Sequence, residues 1–168
     1  MGSNGLSAYG AVMHQRVTFQ QPIARRPTMP SRDRRITNFF VIGEEWAELV
    51  EGMFGQVSGA FAHGVIEGMG RAYREAGADP SQGPPDLVAT ADAMGDLVIT
   101  IYGLAIEMGI DLDLVIAEQM RANMTKLDDE GRPVFNEDGK YTKTDNYSPP
   151  QVAEILRELG WDGEETTR

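Results

Sequence analysis

Glu44, Glu45 and Glu48 form a Glu-Glu-x-x-Glu cluster, and Asp92 and Asp96 follow as an Asp-x-x-x-Asp pair. Residues three and four apart share one face of a helix, so each group reads as an acidic stripe if its segment is helical. Taken alone, Glu-Glu-x-x-Glu is an ordinary solvated helix face. The aspartates are less ordinary, because they lie at the entrance to the apolar run from Leu97 to Ile110. Like charges at that spacing repel, and carboxylates beside a buried segment are costly unless paired or bound to metal. The bland alternative is that Asp92 caps a helix and Asp96 faces water. If the two stripes meet, four or five carboxylates share a site that a hard divalent cation neutralises.

Other residue types narrow the chemistry to oxygen ligands. The chain has no cysteine, so thiolate sites and disulfides are excluded, and two distant histidines, His14 and His63, cannot build a zinc cage. Mg²⁺, Mn²⁺ or Ca²⁺ remains. An EF-hand over Val134–Asp145 fails, since Val134 stands where the loop needs its first Asp.

With Lys+Arg 15 against Asp+Glu 26, the net charge of −11 argues against nucleic-acid polymers and anionic membranes as partners. Cations of interest therefore stand out. Asn123-Met-Thr-Lys126-Leu ends one helical pattern, and Lys140 and Lys143 follow in a polar segment; such lysines suit a phosphate chain. Equally, Lys140 and Lys143 balance the acids Asp128, Asp129, Glu130, Glu137 and Asp138 around them. The run Arg25, Arg26, Arg32, Arg34 and Arg35, broken by Pro27 and Pro30, reads as a solvated extended arm; its sharper reading is a strand on a neighbouring subunit or a guard for an anionic substrate.

These groups need helices to position them. Residues 1–35 read as an extended N-terminal arm, with a short strand around Val17–Phe19. Thr37 is a plausible N-cap for a helix through Met53, and a second helix covers Val57–Glu75 despite its many glycines. After a loop at Gly77–Pro85, a third helix runs from about Asp86 to Met108 and is apolar nearly all round, which predicts burial on every side. A fourth opens at Asp111 or Leu112 and ends near Thr125. Asp128–Tyr147 reads as a small hairpin or flap, and Gln151–Leu159 as a last helix. The expectation is one all-α domain over residues 36–160 with a C-terminal flap, and a tail at 161–168. No stretch is read as long enough to span a membrane, and with no signal-peptide layout the chain is expected in the cytoplasm.

In this order, Glu44-Glu45-x-x-Glu48, Asp92-x-x-x-Asp96-Leu-Val-Ile-Thr-Ile-Tyr-Gly, Asn123-Met-Thr-Lys126-Leu, Asp138-Gly-Lys140-x-x-Lys143 and Tyr147-Ser-Pro-Pro150 resemble MazG-like, phosphoribosyl-ATP pyrophosphohydrolase-like proteins over about residues 17–157. The resemblance implies a MazG-like helical bundle, a homodimer or homotetramer, and hydrolysis of a nucleoside triphosphate to monophosphate and pyrophosphate. It implies Mg²⁺, with Mn²⁺ able to substitute, as about two or three ions per site. Glu45, Glu48 and Asp96 would be metal ligands, and Glu44 a further ligand or the residue orienting the water. The superfamily often has Glu three residues before the last Asp; Ala93 stands there in this chain, and Asp92 takes that role. Glu44 or Glu45 with Lys126 would form the catalytic set, and Asn123, Lys126, Lys140, Lys143 and Tyr147 would bind substrate. Some phage members turn dGTP into dGMP as feedstock for 2-aminoadenine DNA, which ranks dGTP first, with dATP beside it. The rivals are dUTP, dCTP or phosphoribosyl-ATP as substrate, or a helical module that binds nucleotide without turnover.

Overall fold

The computed structural model describes residues 7–77, 83–136 and 141–163. Six helices run along them: α1 (Ala8–Thr18), α2 (Arg32–Phe54), α3 (Gln56–Glu75), α4 (Leu87–Glu107), α5 (Leu112–Met124) and α6 (Val152–Glu158). No strand forms among the described residues; the expected hairpin is reduced to two antiparallel bridges, Leu127 with Pro133 and Phe135 with Tyr141. The chain divides into two compact units, Arg26–Thr90 and Met1–Arg25 with Ala91–Arg168. The architecture is all-α, as the sequence predicts.

In the first unit α2 and α3 pack as an antiparallel pair. The register is set by small residues. A Cβ placed on Gly43 would stand 2.7 Å from Ile66, one on Gly59 would stand 2.5 Å from the Glu51 Cβ, and one on Gly70 would overlap the Phe40 ring. Ala47 and Ala62 are buried in the same seam. Glycines that argue against helix continuity on propensity are therefore what lets the two backbones approach. At the open end Phe39 meets Tyr73 edge-on with centroids 5.3 Å apart, the Arg74 guanidinium lies 4.4 Å from the Phe40 centroid, and Arg32 donates to the Tyr73 carbonyl.

The second unit is built around α5, with α1 and α6 packed on it. Ser7 caps α1 by accepting from the Gly10 N–H, and Phe19, just past its end, is 1% exposed. Asp111 caps α5 as expected, accepting from the N–H groups of Asp113 and Leu114.

Four expectations change. The region 1–35 is not one extended arm, because Ala8–Thr18 is helical and α2 already begins at Arg32, capped by Ser31. The proposed strand at Val17–Phe19 is the end of α1. Thr37 is not an N-cap; it lies inside α2, where its hydroxyl donates to the Asp33 carbonyl at 3.0 Å. Helix α4 is not buried on every side: only Ala105 is buried, while Val88, Ile99 and Ile106 are 80%, 69% and 75% exposed. Its 21 residues are also long and apolar enough, by length and composition, to cross a membrane, contrary to the reading that no stretch reaches that length. The apolar pattern holds, but such a pattern says only that a face is unfavourable in water and not what covers it. Of the expected tail, only Trp161–Gly163 lies among the described residues.

Gly70→Ala is expected to destabilise the α2–α3 pair by about 1–3 kcal/mol through overpacking against Phe40. That exceeds the ~1 kcal/mol that Ala gains in helix propensity. The check is the urea midpoint, which should fall; an unchanged or raised midpoint would show that the seam is not tight at Gly70.

Candidate active site

The three glutamates sit in the middle of α2. Gly43 and Ala47 on the same helix are buried, and Glu44, Glu45 and Glu48 are exposed. Their order along α2 puts Glu48 one turn beyond both Glu44 and Glu45, as the spacing predicts. The two aspartates belong to the other unit. Asp86 caps α4, accepting from the N–H groups of Val88 and Ala89, so the capping reading of Asp92 fails. Asp92 and Asp96 both lie within α4 and are exposed. Thr100 donates its hydroxyl back to the Asp96 and Leu97 carbonyls, at 3.0 Å and 2.9 Å, which leaves the Asp96 carboxylate out of that bond. Donor chemistry fits a hard cation, since every candidate ligand is a carboxylate oxygen. Among the described residues of the single chain no three acidic or histidine side chains stand close enough together to hold a metal.

Four of the five expected substrate residues do converge. Lys126 donates from Nζ to the Asn123 Oδ1 at 2.7 Å, and the same ammonium lies 5.4 Å from the Tyr141 ring centroid and 5.7 Å from that of Tyr147. Lys143 places its Nζ 4.6 Å from the Tyr147 centroid. Two ammonium groups thus sit over two tyrosine faces, a geometry that holds cations in place by the ring quadrupole. Lys140, the fifth residue, lies outside the described residues.

Local chemistry explains why this cluster forms. Thr125 and Ser148 bond reciprocally: the Ser148 N–H donates to the Thr125 hydroxyl at 2.8 Å, and that hydroxyl is 3.3 Å from the Ser148 carbonyl. Arg121 donates to the Pro149 carbonyl at 3.1 Å, and Glu118 accepts from the Gln151 N–H at 2.8 Å. Glu118 and Arg121 also form an ion pair at 2.7 Å. The Arg121 guanidinium, with the Gln151 N–H, brings the Glu118 carboxyl down to about 2. Thr144 and Asn146 both donate to the Leu127 carbonyl. The segment Thr144–Gln151 is therefore strapped to the end of α5, which carries Lys143 and Tyr147 to Lys126. On the turn between, Asp128 accepts from the N–H groups of Glu130 and Arg132, and Gly131 takes the positive φ of 73° that the turn requires.

Two members of the cluster escape sequence reasoning. Tyr141 lies 4.7 Å from the buried Phe19, centroid to centroid, so α1 supports the floor beneath Lys126. Nothing in the residues around Phe19 links it to residue 141. Tyr141 carried a signal, since it completes a Tyr-x-Lys-x-x-x-Tyr run with Lys143 and Tyr147. Elsewhere in this unit the Tyr102 hydroxyl donates to Asp113 at 2.6 Å, tying α4 to α5, and that bond to a carboxylate raises the Tyr102 pKa.

Comparison with known proteins gives this arrangement a context. The phosphoribosyl-ATP pyrophosphohydrolase family pattern matches residues 11–123, which include all five carboxylates and stop short of Lys126. A protein from Exiguobacterium sp. 255-15 assigned as an NTP pyrophosphohydrolase has a similar crystal structure, with a TM-score of 0.71 and 26% identity, over 95% of this chain and 98% of that one. No curated protein sequence matches significantly. The fold is MazG-like, and the activity is that of a nucleotide pyrophosphohydrolase rather than of a binding module without turnover. The chain belongs to the phosphoribosyl-ATP pyrophosphohydrolase family.

Proposed function

We propose that the chain hydrolyses a deoxynucleoside triphosphate, dGTP before dATP, to its monophosphate and pyrophosphate, as a homo-oligomer that uses Mg²⁺ or Mn²⁺. The observation that carries the triphosphate reading is the convergence of Lys126 and Lys143 in a chain of net charge −11. These cations lie beyond the stretch that the family pattern matches. The substrate can therefore differ from the one the family is named for, and dGTP rests on the likeness of the Asn123–Pro150 motifs to phage enzymes that supply dGMP for 2-aminoadenine DNA.

Glu44, Glu45, Glu48, Asp92 and Asp96 would hold the metal, which when bound neutralises phosphate charge and lowers the pKa of a water. Glu44 or Glu45 orients that water and accepts its proton. Lys126, held by Asn123, and Lys143 steady the phosphate chain as negative charge moves onto the departing pyrophosphate. Tyr141 and Tyr147 lie under the two ammonium groups and would help to hold them in place. No covalent nucleophile is needed. The homo-oligomer is supported by the bare apolar surface of α4, since burial of one Val or Ile side chain contributes about 1.5–3 kcal/mol that water exposure forfeits.

Pyrophosphate release from the eight common nucleoside triphosphates and phosphoribosyl-ATP, with Mg²⁺ or Mn²⁺, tests the substrate. The highest kcat/KM is expected for dGTP; a preference for phosphoribosyl-ATP would refute the dGTP assignment. Chelation with EDTA should abolish turnover, and excess Mg²⁺ should restore it. Glu48→Gln should lower kcat by about 100-fold or more while leaving the fold intact by circular dichroism. Lys143→Ala should lower kcat/KM by roughly 10–150-fold, the equivalent of one lost charge-assisted bond to phosphate; no change would remove that lysine from the site.

A further inference from the structure

Arg121 is the arginine of α5 and stands close before Asn123 and Lys126 in sequence. In a site that takes a phosphate chain, a guanidinium so placed reads at first as one more phosphate contact. Its bonds assign it elsewhere. Nε and Nη2 donate to the two oxygens of Glu118 at 2.8 Å and 2.7 Å, a fork on a carboxylate. Nη2 also donates to the Pro149 carbonyl at 3.1 Å, and Nη1 reaches the Ser148 hydroxyl oxygen at 3.4 Å. The fork is therefore occupied by the chain's own oxygens, and Glu118 matches its charge.

Glu118 completes the clamp. The oxygen that accepts from Arg121 Nη2 also accepts from the Gln151 N–H at 2.8 Å. With Arg121 and that N–H on it, the Glu118 carboxyl is held at about 2, so the pair stays ionised far below neutral pH. Together the two side chains take hold of Ser148, Pro149 and Gln151, directly after Tyr147. Before Tyr147 the hold comes from the Leu127 carbonyl, which accepts from Thr144 at 2.9 Å and from Asn146 at 3.2 Å. Tyr147 thus sits between two anchors. Its ring is the one that both ammonium groups share, 5.7 Å from Lys126 Nζ and 4.6 Å from Lys143 Nζ. A displacement of Ser148 and Pro149 would carry that ring away from both. The Arg121 side chain is 43% exposed, and an ion pair so open to water contributes little to stability. What the pair supplies is geometry.

We propose that Glu118 and Arg121 are positioning residues for the phosphate-binding lysines: they fix Tyr147 through Ser148, Pro149 and Gln151 without themselves touching the substrate. The inference rests on the assignment of Lys126 and Lys143 to the phosphate chain and adds that α5 sets their placement. Arg121→Lys keeps the charge and loses the fork. On the triphosphate turned over fastest, with Mg²⁺, this variant should show KM raised roughly tenfold and kcat changed by less than about threefold. An unchanged KM, or a fall in kcat alone, would overturn the proposal. Should circular dichroism show Arg121→Lys unfolded, Glu118→Gln carries the same comparison, since it keeps an oxygen for the Gln151 N–H. Added to Lys143→Ala, Arg121→Lys should lower kcat/KM by no more than about threefold further, because one of the two lysines it positions is gone. A further loss of about tenfold, the product of independent effects, would overturn the proposal. Amide hydrogen exchange without substrate gives a reading apart from activity: Ser148 and Gln151 should exchange about tenfold faster in Arg121→Lys. Unchanged exchange, with Lys143→Ala still impaired, would overturn the positioning role alone. Unchanged kcat/KM in Lys143→Ala would overturn the phosphate assignment, and the positioning role with it.

Discussion

Apolar helix surface left bare by a single chain is the constraint on which the rest of this structure depends. Helix α4 is apolar nearly all round yet buries only Ala105, and α2 carries exposed Ile42, Trp46 and Met53 on a flank beside the face it gives to α3. Water leaves such faces unfavourable in proportion to their area. By helical spacing Glu45 borders the α2 stripe, and Asp92 shares a face of α4 with the exposed Val88, Ile99 and Ile106. Carboxylates beside apolar surface are costly unless a cation or another partner neutralises them.

A second, separate constraint governs the basic side. Tyrosine faces lie beneath both Lys126 and Lys143, and the Asn123 amide oxygen accepts from Lys126. The strap from Thr144 to Gln151, tied to α5 through Thr125, Arg121 and Glu118, fixes their height above the rings. Ammonium groups held in this way would lose little freedom to a bound anion.

Much of this was legible in the sequence, and what was not has physical reasons. Helices α3 to α6 were readable from apolar spacing and from Asp111 and Gly109 at their ends. The flap motifs located Lys126, Lys143 and Tyr147. Helix α1 was missed because its neighbours Pro22, Pro27 and Pro30 lend the whole segment an extended look, although Ser7 provides a cap. Gly43, Gly59 and Gly70 looked like weaknesses because propensity is a property of one helix, whereas the seam they make is a property of two. Tyr141 and Phe19 meet across more than a hundred residues, a distance over which no local pattern speaks. Burial of α4 was misjudged for a related reason: periodicity reports the need for a partner and is silent on which chain provides it.

The most direct test of the account is anomalous diffraction from crystals grown with Mn²⁺ and a non-hydrolysable deoxynucleoside triphosphate analogue. The account predicts manganese peaks within about 2.0–2.3 Å of carboxylate oxygens from both Glu48 and Asp96, with the analogue's phosphates on the same ions and Lys126 or Lys143 on the phosphate chain. Manganese found on only one of the two acidic helices, or none at either, would contradict it.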